Sequence, residues 1–211
     1  AAQRADYMIA NSNHIKSEIK EFYNRDSIVI HPPVDIERFK KGKAGTKEGF
    51  VTAARQVPQK KLDIIVKACT QLDKQLTVIG RGPEHENLKT IAGKNVIFKG
   101  HVADEEMPDL FASAEAFLFA SYEDFGVTPV EAMATGTPVI AYNNGGAKDY
   151  VIPGTTGEFF NDQSVESLKS TIKNFDPDKY DAGKIAKFAR GFSSDNFKNQ
   201  IESFVNEKLN S

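Results

Sequence analysis

The stretch Glu123-Asp124-Phe125-Gly126-Val127-Thr128-Pro129-Val130-Glu131 sets two carboxylates eight positions apart around a glycine, and its flanks decide the fold. Upstream, Ala116-Phe117-Leu118-Phe119-Ala120 is a short apolar run bounded by polar residues, the pattern of a strand buried on both faces. Downstream, Pro129 suits a first helical position and Thr128 is the expected cap. Val130, Met133 and Ala134 supply the apolar face of the helix. The segment reads as strand, glycine turn, helix.

Outward from this unit the same alternation repeats. Strands are expected at 50–54, 75–79, 95–98, 116–120 and 138–141, with helices at 61–72, 84–92, 104–113 and 128–135 between them. Such alternation predicts an α/β fold with a doubly wound, Rossmann-like parallel sheet, whose ligands lie beyond the carboxyl ends of the strands. Arg55, Gly80, Gly100 and Glu123 all fall just past such ends.

After the last of these strands, Asn143 to Tyr150 is expected to make a tight turn into a short helix, with Gly145 and Gly146 as turn residues. Pro153 to Gly157 reads as a turn before Glu158-Phe159-Phe160. Three helical stripes follow: Val165, Leu168, Ile172 and Phe175; then Ile185, Phe188 and Ala189; then Phe197, Ile201, Phe204, Val205 and Leu209. At the other end, Tyr7 to Ala10, Ser12 to Phe22 and Ser27 to Ile30 read as strand, helix and strand. That piece is too small for its own core and is expected to dock on the main domain or pair with another copy. Gly42 to Lys47 reads as a flexible linker.

Composition narrows the class. At 211 residues, 40% hydrophobic and with a net charge of −2, the chain can bury one substantial core and offers no electrostatic case for nucleic acid. The single cysteine, Cys69, lies on the apolar face of Leu62, Ile65, Val66 and Leu72, so it is read as a buried thiol. No apolar run approaches the roughly twenty residues that cross a bilayer, and no signal peptide is evident, so a cytoplasmic location is expected. The chain begins Ala1-Ala2 without Met and reads as a piece of a longer protein. Its four histidines, His14, His31, His85 and His101, are dispersed without metal-ligand spacing.

The chemistry concentrates on the glycine turn. The first N–H groups of a helix lack intrahelical partners and sit at the positive end of its dipole, so they attract phosphate. An ionised carboxylate accepts hydrogen bonds only and can receive two neighbouring hydroxyls, as on a ribose or hexose. Two carboxylates flanking a phosphate-binding turn could therefore hold a diphosphate carrying a sugar at each end. Taken alone, a Glu-Gly-Glu spacing is a weak signal and better fits two exposed structural glutamates.

From Phe50 to Phe160 the chain resembles the C-terminal, donor-binding domain of retaining glycosyltransferases of the GT-B fold, family 4. The resemblance rests on the E-x7-E pattern of Glu123 and Glu131 and its continuation Ala132-Met133-Ala134-Thr135-Gly136-Thr137-Pro138-Val139-Ile140. Within the family, Tyr122 to Glu131 and His31-Pro32-Pro33-Val34-Asp35 look most like WbaZ-like mannosyltransferases. The resemblance implies an organisation: residues 1–31 as the end of an N-terminal acceptor domain, 32–49 as the interdomain linker, 50–190 as the nucleotide-sugar-binding domain, and 191–211 as a helix returning to the N-terminal domain.

The resemblance also implies roles. Arg55 and Lys60 would grip the donor diphosphate, as a guanidinium fork and an ammonium point charge suit phosphate; Lys61 is the alternative partner. Glu123 would orient the transferred sugar, helped by backbone groups of Phe125 and Gly126, while Val127 and Thr128 offer N–H groups to phosphate. Glu131 would hold ribose hydroxyls. Gly80 lies near the nucleotide or makes an ordinary turn, and Arg81 has no assigned role. The base would sit by Gly100 and His101, read mainly through backbone.

The implied activity is transfer of a hexose with retention, mannose from GDP-mannose favoured, to a saccharide or lipid-linked saccharide in cell-surface polysaccharide synthesis. No cofactor and no catalytic metal are expected, and the full-length enzyme is expected to associate peripherally with the inner membrane face. The acceptor would be held through the N-terminal domain. Two alternatives stay open: a nucleotide-sugar-binding module without turnover, and a GT-B nucleotide-sugar epimerase. Paired carboxylates also suit glycoside hydrolysis, but a hydrolase has no need of a cationic diphosphate clamp.

Overall fold

The computed structural model describes residues 2–40, 42 and 47–210. In chain order it holds β1 (Ile9–Ala10), α1 (Asn13–Tyr23), β2 (Ile28–Val29) and α2 (Ile36–Phe39), then β3 (Phe50–Ala53), α3 (Leu62–Gln71), β4 (Leu76–Ile79), α4 (His85–Thr90) and β5 (Val96–Gly100). There follow α5 (Met107–Ala112), β6 (Ala116–Phe119), α6 (Val127–Ala134), β7 (Val139–Tyr142), β8 (Gly157–Phe160), α7 (Val165–Asn174), α8 (Ala182–Ala189) and α9 (Ser194–Leu209).

The main sheet runs β5-β4-β3-β6-β7-β8, parallel throughout. Every strand expected in the alternating region is present, and β8 adds a sixth where only a turn and three flanking residues had been read. Winding starts at β3, runs outward through β4 to β5, then crosses back so that β6 pairs with β3, Phe50 opposite Ala116. The crevice beyond β3 and β6 is therefore the topological switch point.

Period-two alternation splits the core between the two faces of the sheet. Phe50, Leu76, Val78, Leu118 and Ile140 point to one face, where α3 and α7 bring Ile65, Val66, Cys69, Leu168 and Ile172. Val51, Ile79, Phe117, Phe119, Val139 and Ala141 point to the other, where Val130, Met133, Ile185 and Phe192 cover them. Cys69 is fully buried, and burial pushes its thiol up to about 12, in keeping with its reading as an inert core residue.

The stretch read as a linker is divided. Val34, Ile36 and Phe39 are buried in the main core, and Phe39 stacks on Phe111 at 5.7 Å. Asp35 caps α2 by accepting from Arg38 N–H at 3.2 Å, which turns the chain so that Ile36 and Phe39 face inward. Residues 43–46 of the expected flexible segment lie outside the described residues.

The N-terminal piece forms its own parallel pair, β1 with β2, and docks on the main domain. Ala10, Ser12, Ile19 and Ile30 are buried there. None of the residues of α9 is buried; Phe204 of its apolar stripe meets Tyr7 edge-on at 5.9 Å. No helix among the described residues is long and apolar enough to cross a membrane.

Candidate functional site

At the carboxyl ends of β3, β4 and β5 the turns are stitched to one another. Gly80 N–H donates to Gly100 C=O at 2.7 Å, and the buried Gln56 side chain donates to Gly80 C=O at 2.8 Å. Gly80 has φ of 113°, and a Cβ there would stand 2.1 Å from Ala54 O, so only glycine lets the β3 and β4 turns approach this closely. Gln56 then uses its carbonyl oxygen on His85 Nδ1 at 2.8 Å. Gln56 received no role from the sequence, yet its buried amide, bonded at both ends, fixes the platform that carries Arg55.

Arg55 stands exposed on that platform. Lys60 ends a 3-10 turn of Pro58–Lys60 and places Nζ 2.5 Å from Glu123 Oε1. The turn into α3 is made by Lys61 at φ 51°, a left-handed conformation that costs a lysine about 1–2 kcal/mol. Ser121 Oγ donates to Lys60 C=O at 3.3 Å, a second tie between the β3 and β6 loops. Lys60 and Glu123 are thus brought together across the switch point, 63 positions apart in sequence.

The α6 start differs from the sequence expectation. Gly126, at φ 88° and ψ 92°, is the cap, and Thr128 lies inside the first turn. Pro129 follows as the third helical residue and is buried. The reason is steric: a Cβ at Gly126 would stand 2.9 Å from both Phe119 Cζ and the Tyr150 hydroxyl. No side chain caps the helix, which leaves the Val127 and Thr128 N–H groups without intrahelical partners.

Phe125 offers only backbone to a ligand, since its ring is 3% exposed and packed among His31, Tyr150 and Phe192. Gly146 N–H donates to Glu123 C=O at 2.8 Å, and both Gly145 and Gly146 lie so close to 123–125 that a Cβ would collide with backbone. The glycine pair is therefore a close-approach device as well as a turn.

Glu131 is held by a residue the sequence reading passed over. Arg38 Nη2 lies 3.3 Å from Glu131 Oε1, while its Nη1 lies 3.2 Å from Asp104. Burial pushes the Glu131 carboxyl above its ordinary range, an effect that Arg38 opposes and that Asp104 and Asp35 reinforce. Glu123 and Glu131 therefore answer to different cations. An arginine shortly after the His31 to Asp35 motif was the available signal, but its pairing with Glu131 spans 93 positions.

Of the outer residues, Gly100 has φ of 66° and Arg81 lies across it, with Nε 3.1 Å from where a Cβ would stand. His101, next in sequence, is exposed. A cleft of about 410 Å³ between α3 and α4 is lined by Val57, Leu62, Lys67, Glu84 and Leu88 among others, and includes none of the expected donor residues except Lys61, the alternative to Lys60.

Residues 33–192 match the family described as glycosyl transferases group 1. The chain is 25% identical to the GDP-mannose-dependent alpha-(1-6)-phosphatidylinositol monomannoside mannosyltransferase of Mycolicibacterium smegmatis, over 92% of this chain and 59% of that protein. Sucrose-phosphate synthase from Thermosynechococcus elongatus superposes with a TM-score of 0.84 at 24% identity, over 99% of this chain and 59% of that one. The Anabaena protein HepE, solved with UDP-glucose, gives 0.80 at 23% identity, over 98% of this chain and 65% of that one. The chain spans less than two thirds of each of these relatives. Its parallel, Rossmann-like fold is matched across the chain in GT-B glycosyltransferases, and with the family match covering most of its length the chain belongs to the group 1 glycosyltransferases.

Proposed function

We propose that the chain is the donor-binding domain of a retaining glycosyltransferase of family 4, allied to the WbaZ-like mannosyltransferases. In this reading the whole protein transfers mannose from GDP-mannose to a saccharide or lipid-linked saccharide of the cell surface. The observation that carries it is the juxtaposition of Lys60 and Glu123 at 2.5 Å beside the uncapped start of α6, at the switch point of a parallel sheet. The name of the Mycolicibacterium relative favours GDP-mannose, and the HepE complex supports a nucleotide-sugar donor.

The chemistry follows from charge. As the bond between the anomeric carbon and the diphosphate oxygen breaks, that electron pair passes to the leaving nucleoside diphosphate. Arg55, Lys60 and the Val127 and Thr128 N–H groups stabilise the growing negative charge, more strongly in the transition state than in the ground state. Glu123, released from part of its contact with Lys60 as the donor enters, accepts hydroxyls of the transferred sugar. Glu131 accepts ribose hydroxyls in its ionised form, which Arg38 favours. Glu123 positions and stabilises charge; no covalent intermediate on it is invoked.

Residues 50–190 form the donor domain in this scheme, and 1–31 the end of the acceptor domain, with 32–49 connecting them and 191–211 returning. Because the chain spans 59% of the Mycolicibacterium relative, a second reading also has support: donor binding by this chain without turnover of its own. Calorimetry with GDP, UDP and ADP, alone and as hexose conjugates, tests the donor binding that both readings require, and a product assay with added acceptor tests turnover. Saturable binding of a sugar nucleotide, GDP-mannose first among them, is expected, with no product formed when acceptor is added. Absence of binding by every nucleotide would remove the donor-site proposal, and product formation would remove the incomplete-site reading.

A further inference from the structure

The loop Glu123–Gly126 is gripped from a direction that the donor-site reading does not use. Asp149 ends the 3-10 turn Gly145–Asp149, directly after the glycine pair that lies against 123–125. Its side chain is 4% exposed, and Oδ2 receives two hydrogen bonds, from Asn13 N–H at 2.8 Å and from His31 Nε2 at 2.8 Å. A carboxylate accepts only, so His31 Nε2 carries the proton. Asn13 is the first residue of α1, where a negative charge also meets the positive end of the helix dipole. The His31 ring, so oriented, lies 5.5 Å from Phe125 and 5.1 Å from Phe192.

A second tie runs parallel to the first. Tyr122, which precedes Glu123, shares its hydroxyl with His14 at 2.6 Å and Glu18 at 3.1 Å, both on α1. The N-terminal segment therefore touches the residue before Glu123, the aromatic before Gly126 and the turn that bonds Glu123 C=O through Gly146 N–H. The segment thus meets the 123–126 loop at Phe125, the residue that precedes it at Tyr122 and the turn packed against it at Asp149.

We infer that Asp149 is a positioning residue that couples the N-terminal segment to the 123–126 loop, so that the placement of one sets the geometry of the other. The inference rests on the donor-site reading for its consequence but not for its existence. Movement of α1 and His31 pulls on Asp149, and through the Gly145–Gly146 turn on Glu123. A donor bound on the loop and the segment bound on Asp149 then favour the same arrangement, and each strengthens the other.

The test replaces one side chain at a time in the 211-residue chain. Asp149→Asn keeps the shape and one acceptor but loses the charge; His31→Ala removes the donor; His31→Gln restores an N–H at the same reach. Amide hydrogen exchange of Gly146 and of residues 122–127 is expected to quicken by roughly three- to tenfold relative to the core in Asp149→Asn and His31→Ala, and to return toward wild type in His31→Gln. GDP-mannose or UDP-glucose, whichever the wild type binds, is expected to lose affinity by roughly three- to tenfold in the same order.

A uniform loss of protection that merely follows a lower melting temperature, or unchanged exchange at Gly146, overturns the coupling. So does donor affinity in both disrupting variants equal to wild type. Should the wild-type chain bind no sugar nucleotide, the donor-site reading fails by itself and the exchange pattern alone decides the coupling. If Asp149→Asn does not fold, His31→Ala carries the test, since it leaves Asp149 bonded to Asn13.

Discussion

Glu123 and Glu131 are the same side chain on either side of one glycine turn, and the structure treats them differently. Glu123 meets a lysine, a point charge on a flexible stem, at the open switch-point crevice. Glu131 meets one arm of an arginine whose other arm is taken by Asp104, and its side chain is 16% exposed. A mobile partner can yield its carboxylate to an incoming sugar. A divided arginine on a packed helix holds its carboxylate still, which suits a site that fixes a ribose. The spacing is a property of the sequence, while the division of labour comes from which cation reaches which carboxylate.

The strongest way to break this contrast is at the turn that separates the two. Gly126→Val puts a branched side chain at φ 88°, against Phe119 and the Tyr150 hydroxyl. Strain and overpacking together are expected to cost about 2–5 kcal/mol, read as a lower urea midpoint, with donor binding lost. A variant as stable as wild type would mean that the turn does not depend on glycine.

Next in size is the open side. Arg55→Ala is expected to weaken binding of the nucleotide diphosphate by about 1.5–3 kcal/mol, the worth of a charge-assisted contact, while the melting temperature stays put because Arg55 is exposed. Unchanged affinity in calorimetry would remove Arg55 from the clamp.

The closed side is tested by charge. Arg38→Met leaves Glu131 half-buried without its cation and raises its pKa further, so the fall of donor affinity on acidification moves to higher pH than in wild type. Stability gives an independent readout. Because burial holds the Glu131 pKa above its unfolded value, the folded state binds the extra proton, and stability falls as pH rises from the ordinary glutamate range through the raised one. Glu131→Gln should flatten that slope. Asp149 runs the other way: burial works against its ionised form, but the His31 and Asn13 hydrogen bonds win and hold its pKa low. Its contribution is present above the unfolded aspartate pKa and is lost as pH falls through the folded one. Denaturation across the acid range of Asp149→Asn and Glu131→Gln should therefore show opposite changes of slope.

The smallest effect is expected at Lys61. Lys61→Gly relieves the left-handed backbone and is expected to raise stability by up to about 1 kcal/mol, with donor affinity unchanged if Lys60 alone reaches the diphosphate. A fall in affinity would make Lys61 a partner after all.

The sequence showed the sheet and the end at which ligands are expected because both are written in short-range pattern. Apolar runs such as Phe117-Leu118-Phe119 announce buried strands, and Arg55, Gly80, Gly100 and Glu123 follow such runs directly. It was less clear where tertiary packing displaces local preference. Thr128 and Pro129 looked like a cap and a first helical position, yet the helix begins two residues earlier because Gly126 alone fits beneath Phe119 and Tyr150. The stretch 34–39 fell within the linker of 32–49 that the family resemblance implied, and its residues Val34, Ile36 and Phe39 are buried in the main core, with Phe39 stacked on Phe111. β8 was hidden because Gly157 and Glu158 break the apolar run that an outer strand can do without.

What the amino-acid order determined by itself is the order of elements, the two-faced core and the end of the sheet where carboxylates and cations gather. These depend on burial at period two or near four, which neighbouring residues record. What tertiary structure alone decided is partnership: Arg38 with Glu131 across 93 positions, His31 with Asp149 across 118 and Asn13 with Asp149 across 136. A charged side chain on a surface face carries no local mark of its partner. The pairing is settled only when packed elements bring one cation, and not another, within reach of each acid.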